Sequence, residues 1–352
     1  MNFSLDEFNK KISNAESFKQ LGEERDKFNE MIQDLHTSIE QIKEINQIHD
    51  LFIQRTITLS ETTLRGRGFG PPPVSYDFIL FGSGGRQEQT LWSDQDNGIV
   101  YENPNNEHKE KVKSYFKELA ITIEHGLERA GYPPCEGNVI STNPLWNKPL
   151  DDWYFKMNEW FEDPHWEHVR YLLILADSRS VYGQGILINK IKTRYFSEVA
   201  SLSPRILEKM LHNTLRHKIL LGVFGHLIKE QYGEEAGGLD IKYGAYIPMV
   251  NGIRLLSIEA GLFETSTLER IHKLKLMNLI PERYAAEYEK AFSNIFKLRY
   301  RTLYKKENGM YTSNGILKAK QLTKEQREEL KSSLKIANKL QKYIKKKIDS
   351  SR

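Results

Sequence analysis

Cysteine is nearly missing from this chain of 352 residues, where Cys135 stands alone. A single thiol excludes an internal disulfide and a cysteine-based zinc site, and it fits a reducing compartment. Long apolar runs are missing too. No segment approaches the roughly 18 uninterrupted apolar residues that would span a bilayer, so no membrane association is expected. The opening residues, Met1-Asn2-Phe3-Ser4-Leu5-Asp6, have neither the basic nor the apolar region of a secretory leader. A soluble cytoplasmic protein is the expectation. An excess of one charge is also absent. The 51 basic and 47 acidic residues leave a net +4, which makes no global electrostatic case for a nucleic-acid partner. No internal repeat or low-complexity tract appears. What the chain does have is 39% hydrophobic residues, 11% of all residues being aromatic, enough to build genuine cores in two or three domains.

Residues 1 to about 64 contain no proline and only Gly22 among glycines. There Leu35, Ile39, Ile42, Ile45, Ile48 and Phe52 recur at three- and four-residue steps, which predicts an amphipathic helix. The run Arg65-Gly66-Arg67-Gly68-Phe69-Gly70-Pro71-Pro72-Pro73 then breaks helical propensity. Its glycines precede prolines rather than a helix, so they read as a junction and not as a dinucleotide loop. From about 74 to 195, strand and helix patterns alternate. A helix is expected from Glu107 to Ala130, stopped by Gly131-Tyr132-Pro133-Pro134, and a short strand near Gly137 to Ser141. Further helices are expected through Trp153, Trp160 and Val169 to Ala176. From about 196 onward only helical periodicity appears, ending in a helix from about Thr323 to Ile348. His165 and His168 read as surface or core histidines, and Lys345-Lys346-Lys347 as the solvated face of the last helix.

The chemistry concentrates in one stretch. Tyr76, Phe78, Ile79, Leu80 and Phe81 form a short apolar run that predicts a buried strand. It ends at Gly82-Ser83, a turn whose small residues let backbone N–H groups approach an anion. Arg86 is suited to neutralise a phosphate, and Glu88 to orient Arg86 or a metal-bound water. Ser93-Asp94-Gln95-Asp96 then opens a second apolar run ending Ile99, Val100, Tyr101. Carboxylates two apart on a strand point to one face, where they can share a divalent cation.

Together, Gly-Ser-x-Gly-Arg-x-Glu-x(5)-Asp-x-Asp resembles the DNA polymerase β-like nucleotidyltransferase superfamily. Within it the chain is similar to the uridylyltransferases that modify the nitrogen-regulatory PII protein, and to their bacterial relatives with a helical substrate-binding domain. Asn143-Pro144-Leu145-Trp146, the stretch Asp177 to Gly183, Leu239-Asp240-Ile241-Lys242 and the stretch Val250 to Leu256 share in that resemblance. It implies a triphosphate substrate on Gly82 and Ser83, with Mg²⁺ (or Mn²⁺) on Asp94 and Asp96, and Gly85, Arg86 and Glu88 of the same turn are expected to bind the nucleotide with them. The superfamily's third carboxylate lies on a later strand, expected here at Cys135 to Ser141. Glu136 is its only acid, and reads either as that catalytic group or as an exposed edge residue. Asp177 reads as a partner of Arg179 or a helix cap. Asp240, Lys242, Asn251 and Arg254 either line an acceptor pocket or join helices through ion pairs.

The architecture expected is α+β: a helical segment over 1–70, a small mixed-sheet nucleotidyltransferase domain over 71–195, and a helical, substrate-binding bundle over 196–352. The activity expected is transfer of a nucleoside monophosphate to an acceptor hydroxyl on a protein or small molecule, with release of pyrophosphate. The rival is a regulatory nucleotide-binding module that signals through its helical regions without turnover.

Overall fold

A computed structural model describes residues 5–32, 38–307 and 310–350. In chain order the elements are α1 (Leu5–Asn14), α2 (Phe18–Ile32), α3 (Ile39–Gly66), β1 (Tyr76–Leu80), the short turn α4 (Gly82–Gly85) and β2 (Asn97–Tyr101). Next come α5 (Lys109–Arg129), β3 (Asn147–Pro149), α6 (Leu150–Glu162), α7 (Trp166–Leu175), β4 (Arg179–Tyr182), α8 (Ile186–Leu202) and α9 (Arg205–Thr214). The remainder is β5 (Gly238–Asp240), α10 (Ile247–Glu259), α11 (Thr267–Leu276), α12 (Glu282–Arg299), β6 (Lys305–Glu307), β7 (Met310–Thr312), β8 (Ile316–Lys318) and α13 (Lys324–Asp349). The fold is α+β. Among the described residues no helix is long and apolar enough to cross a membrane.

The chain divides into two compact units. The first holds Met1–Asn158, Asp177–Thr193 and Lys305–Thr312. Its centre is a four-stranded mixed sheet in the order β3-β2-β1-β4, with β1 antiparallel to β2 and β4, and β2 parallel to β3. Every residue of β1 and β2 is buried, as the apolar runs require. Asp77 is the polar exception inside β1. Its carboxylate accepts from the N–H groups of Gly185, Leu187 and Ile188 at 2.7 to 3.0 Å, which caps the start of α8.

Helix α3 begins with a capping box between Ser38 and Gln41, and buries Ile42, Ile45, Ile48 and Phe52 on one face. Leu35, expected on the same stripe, lies outside the described residues. Each such buried side chain contributes about 2 kcal/mol. The stripe also carries His49, fully buried with Nδ1 2.8 Å from the Tyr132 hydroxyl. Burial, and then the nearby Arg25 guanidinium, holds this imidazole well below its usual 6.5. The folded protein therefore resists a proton that the unfolded chain accepts below pH 6.5. Stability is complete above that pH and falls below it, by at most about 1.4 kcal/mol per pH unit. Urea unfolding at pH 7.5 and 5.5 should show a larger acid loss for wild type than for His49→Gln. Equal losses would mean that His49 is not buried in its neutral form.

The strand expected near Gly137 to Ser141 is not there. Pro133 and Pro134 carry no N–H, and Glu136-Gly137 turn back so that Asn138 N–H reaches the Cys135 carbonyl at 3.0 Å. What remains is one bridge between Gln95 and Pro134, a bond from Asn97 N–H to the Val139 carbonyl, and a bond from Ser141 N–H to the Asn97 side chain. The places beside β2 and β1 go to the short strands β3 and β4.

The second unit holds Glu159–Ala176, Arg194–Tyr304 and Ser313–Arg352. Its core helix is α10, buried continuously from Pro248 to Ile258, the pattern of a helix covered on all sides. Gly252 lets it approach α13 closely, since a Cβ there would lie 2.8 Å from a Leu340 methyl. Helix α13 starts at Thr323 with a capping box to Gln326 and buries Leu330, Leu334, Ala337, Leu340, Ile344 and Ile348. The helical reading of the chain from about 196 onward omitted two antiparallel pairs, β5 with β8 here and β6 with β7 in the first unit. Strands of three residues are too short to show a period.

Candidate functional site

The site starts where β1 runs out. Phe81 donates its N–H to the Asp96 carbonyl at 3.0 Å, tying the end of one strand to the approach of the next. Gly82 then adopts φ +50°, a backbone conformation that L side chains rarely take. A Cβ built on Gly82 would run into the Asp96 carboxylate, and one on Gly85 into the Asp177 carbonyl. These two glycines are required by close approach. The N–H groups of Gly85, Arg86, Gln87 and Glu88 close the turn on the carbonyls of Phe81, Gly82, Gly84 and Ser83. The N–H groups that open such a turn have no partner within it.

Opposite the turn, Asp94, Gln95 and Asp96 run in extended conformation. Gln95 points inward, donating its amide to the Tyr132 carbonyl at 2.9 Å and the Glu124 carbonyl at 3.3 Å. Its neighbours face the other way. Ligand atoms of Asp94, Asp96 and Cys135 all lie within 4.8 Å of one another. The Cys135 thiol hydrogen-bonds to Asp96. Burial raises its pKa most, and the negative charges of Asp96 and Asp94 push it further up. The thiol therefore stays protonated at neutral pH. Glu136, the next residue, is exposed in a turn and stands outside this three-residue cluster.

Arg86 was expected on a phosphate. Its guanidinium instead lies buried between two carboxylates, with Nε 2.8 Å from Glu88 and Nη1 2.7 Å from Asp177. Glu88 thus meets the arginine it was expected to orient. Arg179 sits elsewhere, forked onto Asp50 of α3 at 2.6 and 3.0 Å and donating Nε to the Gly84 carbonyl at 3.0 Å. Helix α3 supports the loop again through Asn46, whose amide exchanges bonds with the backbone N–H and carbonyl of Gln89. Arg25 of α2 stacks 4.5 Å from the Tyr132 ring and donates to the Leu91 carbonyl. Sequence reasoning missed Arg25, Asn46, Asp50, Arg179 and Cys135. A signal existed for two of them, because Asn46 and Asp50 are polar residues one turn apart beside the apolar stripe of α3.

In the second unit, Asp240 accepts from the Tyr243 N–H at 2.8 Å, and Lys242 lies 5.2 Å from the Tyr243 ring. Burial is the main influence on the Asp240 carboxyl and raises its pKa. Asn251 and Arg254, both buried, bond to each other at 2.7 Å along α10.

The Gly82 geometry yields a prediction. Gly82→Ala should leave the fold intact at a cost of about 1–3 kcal/mol. It should also displace the Asp96 carboxylate and weaken metal-dependent nucleotide binding at least tenfold, roughly. Thermal melting and fluorescent-nucleotide titration check both halves, and undiminished binding would contradict the close approach.

Residues 25–167 match the family described as "Putative nucleotidyltransferase DUF294", a span that contains the whole Gly82–Asp96 arrangement. Residues 204–348 match the family described as "Putative nucleotidyltransferase substrate binding domain". No curated protein matches the chain. These two consecutive matches, one to a nucleotidyltransferase domain and one to its substrate-binding domain, support a nucleotidyltransferase family for the chain.

Proposed function

We propose that this protein transfers a nucleoside monophosphate from a nucleoside triphosphate to an acceptor hydroxyl, releasing pyrophosphate. The observation that carries this reading is the meeting of Asp94 and Asp96 beside a glycine turn too close to Asp96 to admit a side chain. Two carboxylates suit Mg²⁺ or Mn²⁺, hard cations that take oxygen ligands, whereas a protonated thiol adds little for Mg²⁺. A divalent ion held there would neutralise the triphosphate and the charge developing on pyrophosphate.

The chain's own residues do the positioning. Asp94 and Asp96 hold the cation, while Ser83 and the opening N–H groups of the turn from Gly82 to Gly85 receive phosphate oxygens. Arg86, fixed between Glu88 and Asp177, sets the path of the loop that joins the turn to the aspartates. The acceptor oxygen bonds to the α-phosphorus as the bond from that phosphorus to the bridging oxygen breaks. Pyrophosphate leaves with the electron pair, and the hydroxyl proton passes to Glu136. The acceptor falls to the second matched domain, with Asp240, Lys242, Asn251 and Arg254 as the residues to test. A tyrosine of a regulatory protein, modified from UTP, is the acceptor that the PII-modifying resemblance favours.

One observation favours a second reading. Cys135 occupies the corner next to the aspartates where a third carboxylate would complete the site. A nucleotide-binding module with little turnover would need no such carboxylate. Cys135→Asp separates the two, because a carboxylate at that corner should raise transfer severalfold in an enzyme that lacks only this ligand. An unchanged, absent turnover with intact nucleotide binding would favour the binding module. The direct test incubates purified protein with α-labelled ATP, UTP, GTP or CTP, Mg²⁺ or Mn²⁺, and cell extract. Label should pass to an acceptor with wild type and not with Asp94→Asn, Asp96→Asn. Equal labelling by both would sink the proposal.

A further inference from the structure

A cavity lies in the first unit, with neither Asp94 nor Asp96 in its lining. It measures about 470 Å³, within the range of small-ligand pockets. Tyr101 lines it at the far end of β2, roughly 17 Å along the chain from Asp96. Four lysines line it: Lys109 and Lys113 from α5, Lys148 from β3, and Lys156 from α6. Two carboxylates, Glu110 and Asp152, oppose them. Among the described residues neither Lys109 nor Lys113 makes an ion pair, so the two acids do not cancel these charges by direct contact.

The placement of these lysines works against local stability. Lys109 is the first residue of α5, and Lys148 lies two residues before the start of α6. Both are at the positive ends of helix dipoles, where cations are disfavoured and anions are favoured. Lys109 and Lys113 stand four residues apart on α5, a like-charge spacing that disfavours the helix. An anion would relieve both penalties at once. At the rim stands Phe155, 63% exposed, a ring that no core packing explains. A flat aromatic face beside clustered lysines is a combination that takes a base and its phosphates.

We propose that this pocket binds a small phosphate-bearing molecule at a site separate from the Asp94–Asp96 pair. The lysines hold the phosphates and Phe155 is available to a base. The concavity encloses a small ligand rather than tracking a polymer, which sets it apart from a nucleic-acid groove. The site needs no metal and does not depend on the transfer reaction.

The test is calorimetric titration of the full chain with pyrophosphate and with ADP, in EDTA so that no cation loads the aspartates. Binding of either should survive Asp94→Asn, Asp96→Asn unchanged. It should weaken roughly tenfold or more in Lys113→Gln, Lys156→Gln, two partly solvated positions whose exchange leaves the melting temperature nearly unaltered. ADP binding more tightly than pyrophosphate, with the difference lost in Phe155→Ala, would identify a nucleotide. Equal affinities would identify a free polyphosphate, and both results support the site. Failure of both probes to bind, or binding lost in the aspartate variant and kept in the lysine variant, overturns it. The second pattern would leave the nucleotidyltransferase reading standing.

Discussion

Asp94→Asn, Asp96→Asn is expected to abolish nucleotidyl transfer, by at least about a thousandfold, while the protein stays folded. Both side chains are partly exposed, and neither amide would create a buried unpaired charge. The loss should appear in metal-dependent binding of the triphosphate as well as in turnover, since the same carboxylates would hold the cation. An independent readout comes from Cys135. Asp96 and Asp94 contribute to the rise of its thiol pKa, although burial contributes most. Removing both negative charges should therefore lower that pKa and speed alkylation at pH 8.5. Wild type should react slowly and the variant faster at equal accessibility. Transfer within a few fold of wild type would remove the aspartates from the reaction.

Arg86→Met carries the largest expected effect on stability. The guanidinium is nearly sealed from solvent between Glu88 and Asp177, whose side chains are 2% and 1% exposed. Replacing a whole buried ion network with apolar groups is often tolerated, but removing one partner leaves charges buried without compensation. Here two carboxylates would face each other across the vacated space. The cost should be about 3–5 kcal/mol, lowering the melting temperature by roughly 10 °C for a unit of this size. The triple variant Arg86→Met, Glu88→Gln, Asp177→Asn should recover a substantial part of that loss. The loop from Gly85 to Glu88 hangs on these bonds, so nucleotide binding should fall with stability in the single variant. A change of less than about 1 kcal/mol would show that the network is not holding the loop.

Much of this was readable from residue patterns alone. The apolar run of Tyr76 to Phe81 and its abrupt end at Gly82-Ser83 specify a buried strand and a turn, because period and turn chemistry are both local. The capping residue Thr323 marks a helix start for the same reason. The Asp-x-Asp pair was legible because alternation puts residues two apart on one side, whatever the strand pairs with.

The rest depended on contacts between distant segments. Periodicity does not reveal that Asn138 N–H turns back to Cys135 and Ser141 N–H goes to the Asn97 side chain, or that β3 and β4, of three and four residues, take the neighbouring places. Nor does spacing bring Cys135 beside Asp96. That neighbour comes from the Gln95–Pro134 bridge, a pairing made across 39 positions of chain. Arg86 shows the same limit. An arginine three residues past a glycine-serine turn looks like a phosphate ligand until Asp177, 91 positions away, is seen to accept its hydrogen bond.

The most direct test of the Asp94–Asp96 site is Mn²⁺ titration followed by electron paramagnetic resonance, with and without triphosphate. Wild type should remove free Mn²⁺ signal at one site, more strongly when the nucleotide is present, and Asp94→Asn, Asp96→Asn should do neither. Equal Mn²⁺ uptake by the two proteins would contradict a metal-and-nucleotide centre at these aspartates.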